Sequence, residues 1–262
     1  MRSLFPYIGG KNRVASKLIA LFPKHRCFVE VFAGAANVLL AKDPSDAEVI
    51  NDINSDLINL FRVIRWHPDE LFKELVLITH SRKEYEDYHD QPGLTDVQRA
   101  ARHWFKLKTS FGGTGSAGYR NFSFGTVKKS PLRLASPEVI MQAHERLDGV
   151  FIENDDFDNI INRYDRSHTF FFCDPPYWKG ADYGVPFEWD DQVRLAESLR
   201  KIKGKFLLTI NDHKDIRKLY KGFKKSKLPM HYTACKKHID VNELIIANYP
   251  LPRQRKTKKK GK

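Results

Sequence analysis

The sequence predicts an α/β protein built on a doubly wound, mixed sheet, with a mainly helical insertion after its second strand. Three observations carry this. Cys27 to Phe32, Ala33 to Asn37 and Val38 to Ala41 read as strand, tight glycine turn and helix, the first βα unit of such a sheet. Short apolar runs return at Val49-Ile50, Val150 to Ile152, Phe170 to Cys173 and Phe206 to Ile210, the first and the last two of them ending in polar or acidic residues. From Ser55 to about Ile140 that rhythm is absent and apolar residues recur at helical spacing.

At 262 residues the chain has room for one substantial core and a subdomain, and 41% hydrophobic residues suffice to pack it. A formal charge of +13 points towards a polyanionic partner. Seven of those charges lie in Arg253 to Lys262, so the body is basic without them. Cys27, Cys173 and Cys235 are too few and too dispersed for a disulfide framework or a zinc ribbon, which fits a reducing cytoplasm. No apolar run approaches the roughly 20 residues that span a bilayer. Gly9, Gly10, Lys11 and Arg13 stand where a signal peptide needs an apolar core, so a cytoplasmic location and no membrane contact are expected.

In chain order, Tyr7-Ile8-Gly9-Gly10-Lys11 precedes a helical pattern at Val14, Leu18, Leu21 and Phe22. Glycines before a helix let backbone N–H groups approach an anion, and Lys11 adds a point charge. A plain N-terminal turn is the alternative. The glycine turn after Phe32 lacks the second and third glycines of the dinucleotide pattern. Glu48 to Asn54 is a second short strand ending in Asp52, about 20 positions after that turn, where a ribose or adenine edge needs an acceptor. Helix capping is the other role open to Asp52, although Asn54 or Ser55 could cap as well.

Within the insertion, Leu57, Leu60, Phe61 and Ile64 mark one helix, and Ser81-x-x-Glu84 and Thr95-x-x-Gln98 open two more as capping boxes. Phe111 to Gly125 is glycine-rich yet interleaves Tyr119, Phe122 and Phe124 with Arg120 and Asn121, and Lys128 and Lys129 follow. Those are tools for base stacking and groove readout. Ser136-Pro137 starts another helix, and the sheet resumes at Val150. Gly180 to Phe187 reads as a mobile flap, Asp190 to Ile202 as an amphipathic helix, and Met230 to Cys235 with Glu243 to Ala247 as an antiparallel pair flanking a polar hairpin. Arg253 to Lys262 reads as a solvated, disordered tail able to add phosphate affinity.

The strand Phe170 to Cys173 stops at Asp174-Pro175-Pro176-Tyr177-Trp178. Proline carries no N–H, so this turn offers acceptors and few donors. A carboxylate oxygen and a backbone carbonyl side by side can take both hydrogens of a planar –NH2 group, leaving its lone pair nucleophilic, while Tyr177 and Trp178 offer a flat surface to an unstacked base.

Asp174-Pro175-Pro176-Tyr177 resembles the catalytic motif of the Dam-type DNA adenine methyltransferases, which use S-adenosylmethionine (SAM). The other motifs of that family follow in its order over nearly the whole chain. The resemblance implies a Rossmann-like SAM-dependent methyltransferase fold that methylates N6 of a flipped-out adenine in double-stranded DNA, with Asp174, Pro175, Pro176 and Tyr177 at the catalytic turn and no metal. It implies a cofactor site of Tyr7, Gly9, Lys11, Glu30, Phe32, Gly34, Asp52, Asp174 and Asp156, with the tandem Asp155 leaving the last choice open. Phe32-x-Gly34 is similar to the family's Phe-x-Gly-x-Gly motif, with Ala36 at the second glycine and therefore expected to avoid positive φ. Tyr119, Arg120, Asn121, Phe122, Lys128 and Lys129 fall in its DNA-contacting region. The expected organisation is a catalytic domain of 1–54 and 146–252, a recognition insertion of 55–145 and the tail 253–262. Oligomeric state stays open, as does a cognate restriction endonuclease as partner. Two other functions share these features: an RNA or protein-amide methyltransferase using the same acceptor turn, and a DNA-binding module without catalysis.

Overall fold

The computed structural model describes residues 3–110, 120–123, 136–180, 186–234 and 237–251, and of 229–234 and 237–242 the backbone alone. Seven strands form one sheet: β1 (Cys27–Glu30), β2 (Ala47–Asn51), β3 (Val150–Glu153), β4 (Thr169–Cys173), β5 (Lys205–Asn211), β6 (Lys224–Ala234) and β7 (Lys237–Ala247). Their order is β3-β2-β1-β4-β5-β7-β6. The first five pair in parallel, and β7 runs antiparallel between β5 and β6. The sheet reverses direction of build at β1 and β4, where the crevice of a doubly wound fold opens.

Strand alternation divides the core. Phe28, Ile50, Phe170, Phe172, Leu207 and Ile245 face one layer of helices. Val29, Val49, Phe171, Phe206, Leu208 and Ile246 face the other. The first layer holds α1 (Ala15–Ile19), α2 (Asn37–Ala41), α3 (Ser55–Trp66), α4 (Pro68–Leu77), α6 (Asp96–Thr109) and α7 (Pro137–Arg146). The second holds α8 (Phe157–Tyr164), α9 (Trp189–Lys201) and α10 (Lys214–Leu219). Burying each large apolar side chain contributes roughly 1.5–3 kcal/mol, so the three consecutive phenylalanines of β4 anchor the central strand to both layers.

The helices of the insertion start where the sequence places them. Ser81 accepts from the Glu84 N–H at 3.3 Å to open α5 (Arg82–Asp90), Thr95 accepts from Gln98 at 3.1 Å to open α6, and Ser136 caps α7 with Pro137 in its first turn. Asn54, and not Asp52, caps α3. Leu57, Phe61, Trp104 and Ile140 pack into the same cluster as one face of the sheet, so these helices share the sheet's core.

Two expectations are corrected. Ala36 adopts φ +49° and ψ +33° instead of avoiding the left-handed region. It closes a turn through its N–H to the Ala33 carbonyl at 2.7 Å and is fully buried, so its surroundings hold a conformation that costs an alanine about 1–2 kcal/mol. Of the polar stretch expected as a hairpin loop between Cys235 and Glu243, 237–242 is strand, because β6 and β7 pair from Lys224 opposite Ala247 to Ala234 opposite Lys237. Lys237, His238, Asp240 and Asn242 hide that strand from a search for apolar alternation, as Lys224, Lys225 and Lys227 hide the start of its partner β6, and lysines are what an edge strand uses to discourage further pairing.

Candidate active site

A cleft opens at the carboxyl ends of β1, β2 and β4. Tyr7, Gly9, Lys11, Glu30, Phe32, Gly34, Asp52, Asp156, Asp174, Pro175, Pro176 and Tyr177 all line it, together with Asn51, Ile53, Asp155, Phe157, Phe187 and Asp191. Every expected cofactor and catalytic residue is therefore in one place, although they come from five separate stretches of chain.

The glycine turn forms one wall. Gly34 has φ +48°, and a Cβ there would come within 3.0 Å of the Tyr7 ring, so glycine is what lets that ring lie over the turn. Asp52 holds the turn in place, accepting from the Gly34 N–H at 2.9 Å and from the Asn54 N–H at 3.0 Å. Burial raises its carboxyl above the ordinary range, against those backbone donors. Glu30 is buried and accepts from the Leu39 N–H at 2.9 Å, supplying from β1 the cap that α2 lacks in its own sequence. Burial pushes this carboxyl up to about 8.

Asn51 ties the strand ends together, donating to the Val31 and Asp155 carbonyls at 3.0 Å each and accepting from the Asp155 N–H at 2.9 Å. Of the tandem aspartates, Asp156 caps α8 and pairs with Arg194 at 2.8 Å, while Asp155 pairs with Arg163 at 2.8 Å. Phe32, Phe157 and Phe187 form a three-ring cluster with centroids 5.6 to 5.7 Å apart. Of the expected flap, 181–185 lie outside the described residues.

The opposite wall is the turn after β4. Asp174 Oδ1 accepts from the Thr209 hydroxyl at 2.7 Å, and Oδ2 pairs with Lys11 Nζ at 2.7 Å. Burial raises the Asp174 carboxyl, Lys11 lowers it and the charge of Glu243 raises it, with a net upward shift. Lys11 is only 3% exposed and also donates to the Gly9 carbonyl and the Tyr177 hydroxyl, each at 3.0 Å. The turn's carbonyls are held in turn: Pro176 by Gln192 Nε2 at 3.0 Å, Tyr177 by the Gly180 N–H at 2.9 Å, Trp178 by Asn211 Nδ2 at 2.8 Å. Among the described residues no donor reaches the Pro175 carbonyl.

Sequence reasoning missed Thr209, Gln192, Asn211 and Glu243 as members of this site. Two of them left a trace: Thr209 is the polar break in an apolar strand, and Gln192 sits three and four positions before Leu195 and Ala196 on the buried face of α9. Of the residues expected to meet DNA, Arg120 pairs through both guanidinium nitrogens with Asp90 on the surface, and Asn121 is exposed. Phe122 bridges to Ser110 and packs between His80 and Tyr85, at 4.8 and 5.3 Å. Tyr119, Lys128 and Lys129 lie outside the described residues, as does the tail 253–262.

A mixed, mostly parallel sheet with a carboxylate- and aromatic-lined crevice at its switch point has the Rossmann-like form of a methyltransferase. More narrowly, the chain belongs to the D12 class N6 adenine-specific DNA methyltransferases, whose family model matches residues 7–232. It is 27% identical to Type II methyltransferase M1.LlaDCHI of Lactococcus lactis subsp. cremoris, over 95% of this chain and 96% of that protein. Similarity extends to Type II methyltransferase M.CviBI of Paramecium bursaria Chlorella virus NC1A, at 26% over 95% and 100%. A DNA adenine methylase of Haemophilus influenzae is 26% identical, over 93% and 92%. The protein is thus an enzyme of DNA adenine methylation.

Proposed function

We propose that the cleft binds SAM and that the Asp174 turn orients the N6 amine of an adenine extruded from double-stranded DNA. The observation that carries this is the pair of acceptors at the turn. Asp174 is 17% exposed, and among the described residues no donor occupies the Pro175 carbonyl beside it, which leaves that oxygen to a substrate. A planar amine facing these two acceptors would have both hydrogens engaged, which withdraws its lone pair from the ring and aims it into the cleft. An adenine inside the base stack cannot reach a carboxylate so recessed, hence the extrusion.

The lining suits the cofactor. Asp52, Asp155, Asp156 and Asp191 put carboxylate oxygens along it as acceptors for hydroxyl and amino groups, and Tyr7, Phe32 and Phe157 offer aromatic surface to an adenine. When bound, SAM supplies an electrophilic methyl group. The chain's own work is to bind, orient and exclude water, which calls for no metal. We assign 55–145 to target recognition, with the exposed and polar-paired Arg120 free to exchange Asp90 for DNA, because a solvent-exposed ion pair contributes little. Among the described residues no helix is long and apolar enough to cross a membrane.

Incubation with SAM and plasmid DNA, followed by mapping of the methylated positions, tests the substrate. Asp174→Asn tests the site: the amide presents an NH2 to the target amine, so the methylation rate is expected to fall by at least ~10²-fold, as when an oriented group acting in the transition state is lost. Near-native turnover would remove Asp174 from the mechanism.

A further inference from the structure

One buried carboxylate beside this turn is not part of the cleft wall. Glu243 lies on β7 directly across from Asn211 of β5, at the cleft end of the sheet. Strand alternation puts it on the same face as Ile245 and Ala247. It is fully buried, accepts a hydrogen bond from the Tyr177 hydroxyl and stands 3.7 Å from Lys11 Nζ. Burying a carboxylate is costly unless it is paired and hydrogen-bonded, and here both the pair and the bond lead to the catalytic turn.

Lys11 is a single ammonium between two carboxylates, Asp174 at 2.7 Å and Glu243 at 3.7 Å. Its three N–H groups are directed at Asp174, the Gly9 carbonyl and the Tyr177 oxygen. With Asp174 as its sole counter-charge, the ammonium would neutralise that carboxylate and compete with the target amine for its oxygens. A second negative charge divides the attraction. The Tyr177 oxygen, accepting from Lys11 and donating to Glu243, fixes where the ammonium sits and how the tyrosine ring is turned.

We propose that Glu243 is a positioning residue of the methyl transfer: acting through Tyr177 and Lys11, it keeps Asp174 an available acceptor for the target amine. The proposal rests on the role given above to Asp174. It has a signature in pH. Asp174 must be ionised to accept from the amine, so activity falls as pH drops through its titration. The groups facing it are Lys11 from the N-terminal segment, Thr209 from β5, Glu243 from β7 and Glu30 from β1. Glu243 raises the proton affinity of Asp174, so its removal moves the acid limb of the rate profile to lower pH.

The test is the single-turnover methylation rate against pH, at saturating SAM and DNA, for the native protein, Glu243→Gln, Glu243→Asp and Asp174→Asn, with SAM affinity measured by calorimetry. Glu243→Gln is expected to bind SAM as the native protein does, to methylate about 10-fold more slowly at neutral pH and to show an acid limb about one pH unit lower. Glu243→Asp keeps the charge but withdraws it from Tyr177, so its acid limb stays in place and its rate falls. A native rate and a native acid limb in Glu243→Gln overturn the proposal. If that variant does not fold, a native rate in Glu243→Asp does so instead. Activity surviving in Asp174→Asn defeats the underlying reading, whereas an inactive Asp174→Asn beside native-like Glu243 variants defeats only this inference.

Discussion

At the scale of single residues, the site uses buried carboxylates for three different tasks. Asp52 fixes a glycine turn, Glu30 caps a helix from a neighbouring strand, and Asp174 pairs with Lys11 at the turn after β4, where we propose that it meets the substrate. Glu30 can be separated from the others by its titration. Its folded value of about 8 lies above the ordinary 4.5, so the native state retains a proton that the unfolded chain releases. The stability tied to that proton is present in full below about pH 4.5 and is lost as pH rises through 8. Glu30→Gln removes the titration and keeps an oxygen for the Leu39 N–H. Its urea midpoint is therefore expected to match the native protein near pH 5 and to exceed it near pH 8. Parallel pH dependences in the two proteins would show that Glu30 carries no such proton.

At the scale of elements, the turn into α2 invites a second test. Ala36 sits at φ +49°, where an alanine is strained by about 1–2 kcal/mol. Glycine would relieve that strain but add about 0.4–1 kcal/mol of unfolded-chain entropy to be overcome. The balance predicts that Ala36→Gly stabilises the protein by up to about 1 kcal/mol with the glycine turn unchanged, read as a rise in the denaturation midpoint. A lower midpoint would mean that the alanine methyl, buried in the core, outweighs the strain. This turn also shows what a sequence reveals and what it conceals. Strand, glycine turn and helix were legible at 27–41, because glycine and apolar runs are local signals. So were the caps at Ser81, Thr95 and Ser136, which act within three residues. The φ of Ala36 was not, since alanine ordinarily avoids the left-handed region that the turn closing on Ala33 requires here. The same holds at the turn after β4: Asp174 and Tyr177 announce themselves within four residues, whereas Gln192, Thr209 and Glu243 reach Pro176, Asp174 and Tyr177 from 16, 35 and 66 positions further on. They read as ordinary strand and helix residues until the sheet brings β5 and β7 beside β4.

At the scale of the whole molecule, the distribution of charge sets up a test of which cations hold DNA and which read it. The chain carries +13, and seven of those charges are in Arg253 to Lys262. Phosphate contacts of that kind bind all sequences alike and release counterions, so affinity falls with salt by a logarithmic slope of about 0.9 per contact. Arg120 is a different kind of cation, a single guanidinium engaged by Asp90 in the free protein. Its planar fork matches the edge of a guanine as well as it matches a carboxylate, and base-edge contacts are the ones that discriminate sequence. Deleting 253–262 is therefore expected to weaken binding to cognate and unrelated duplexes together, to flatten the salt dependence and to leave the mapped methylation sites unchanged. Arg120→Ala is expected to reduce methylation of the cognate site more than binding to random DNA. Equal losses on both duplexes for Arg120→Ala, with altered sites in the tail deletion, would move sequence recognition from the 55–145 insertion to the tail.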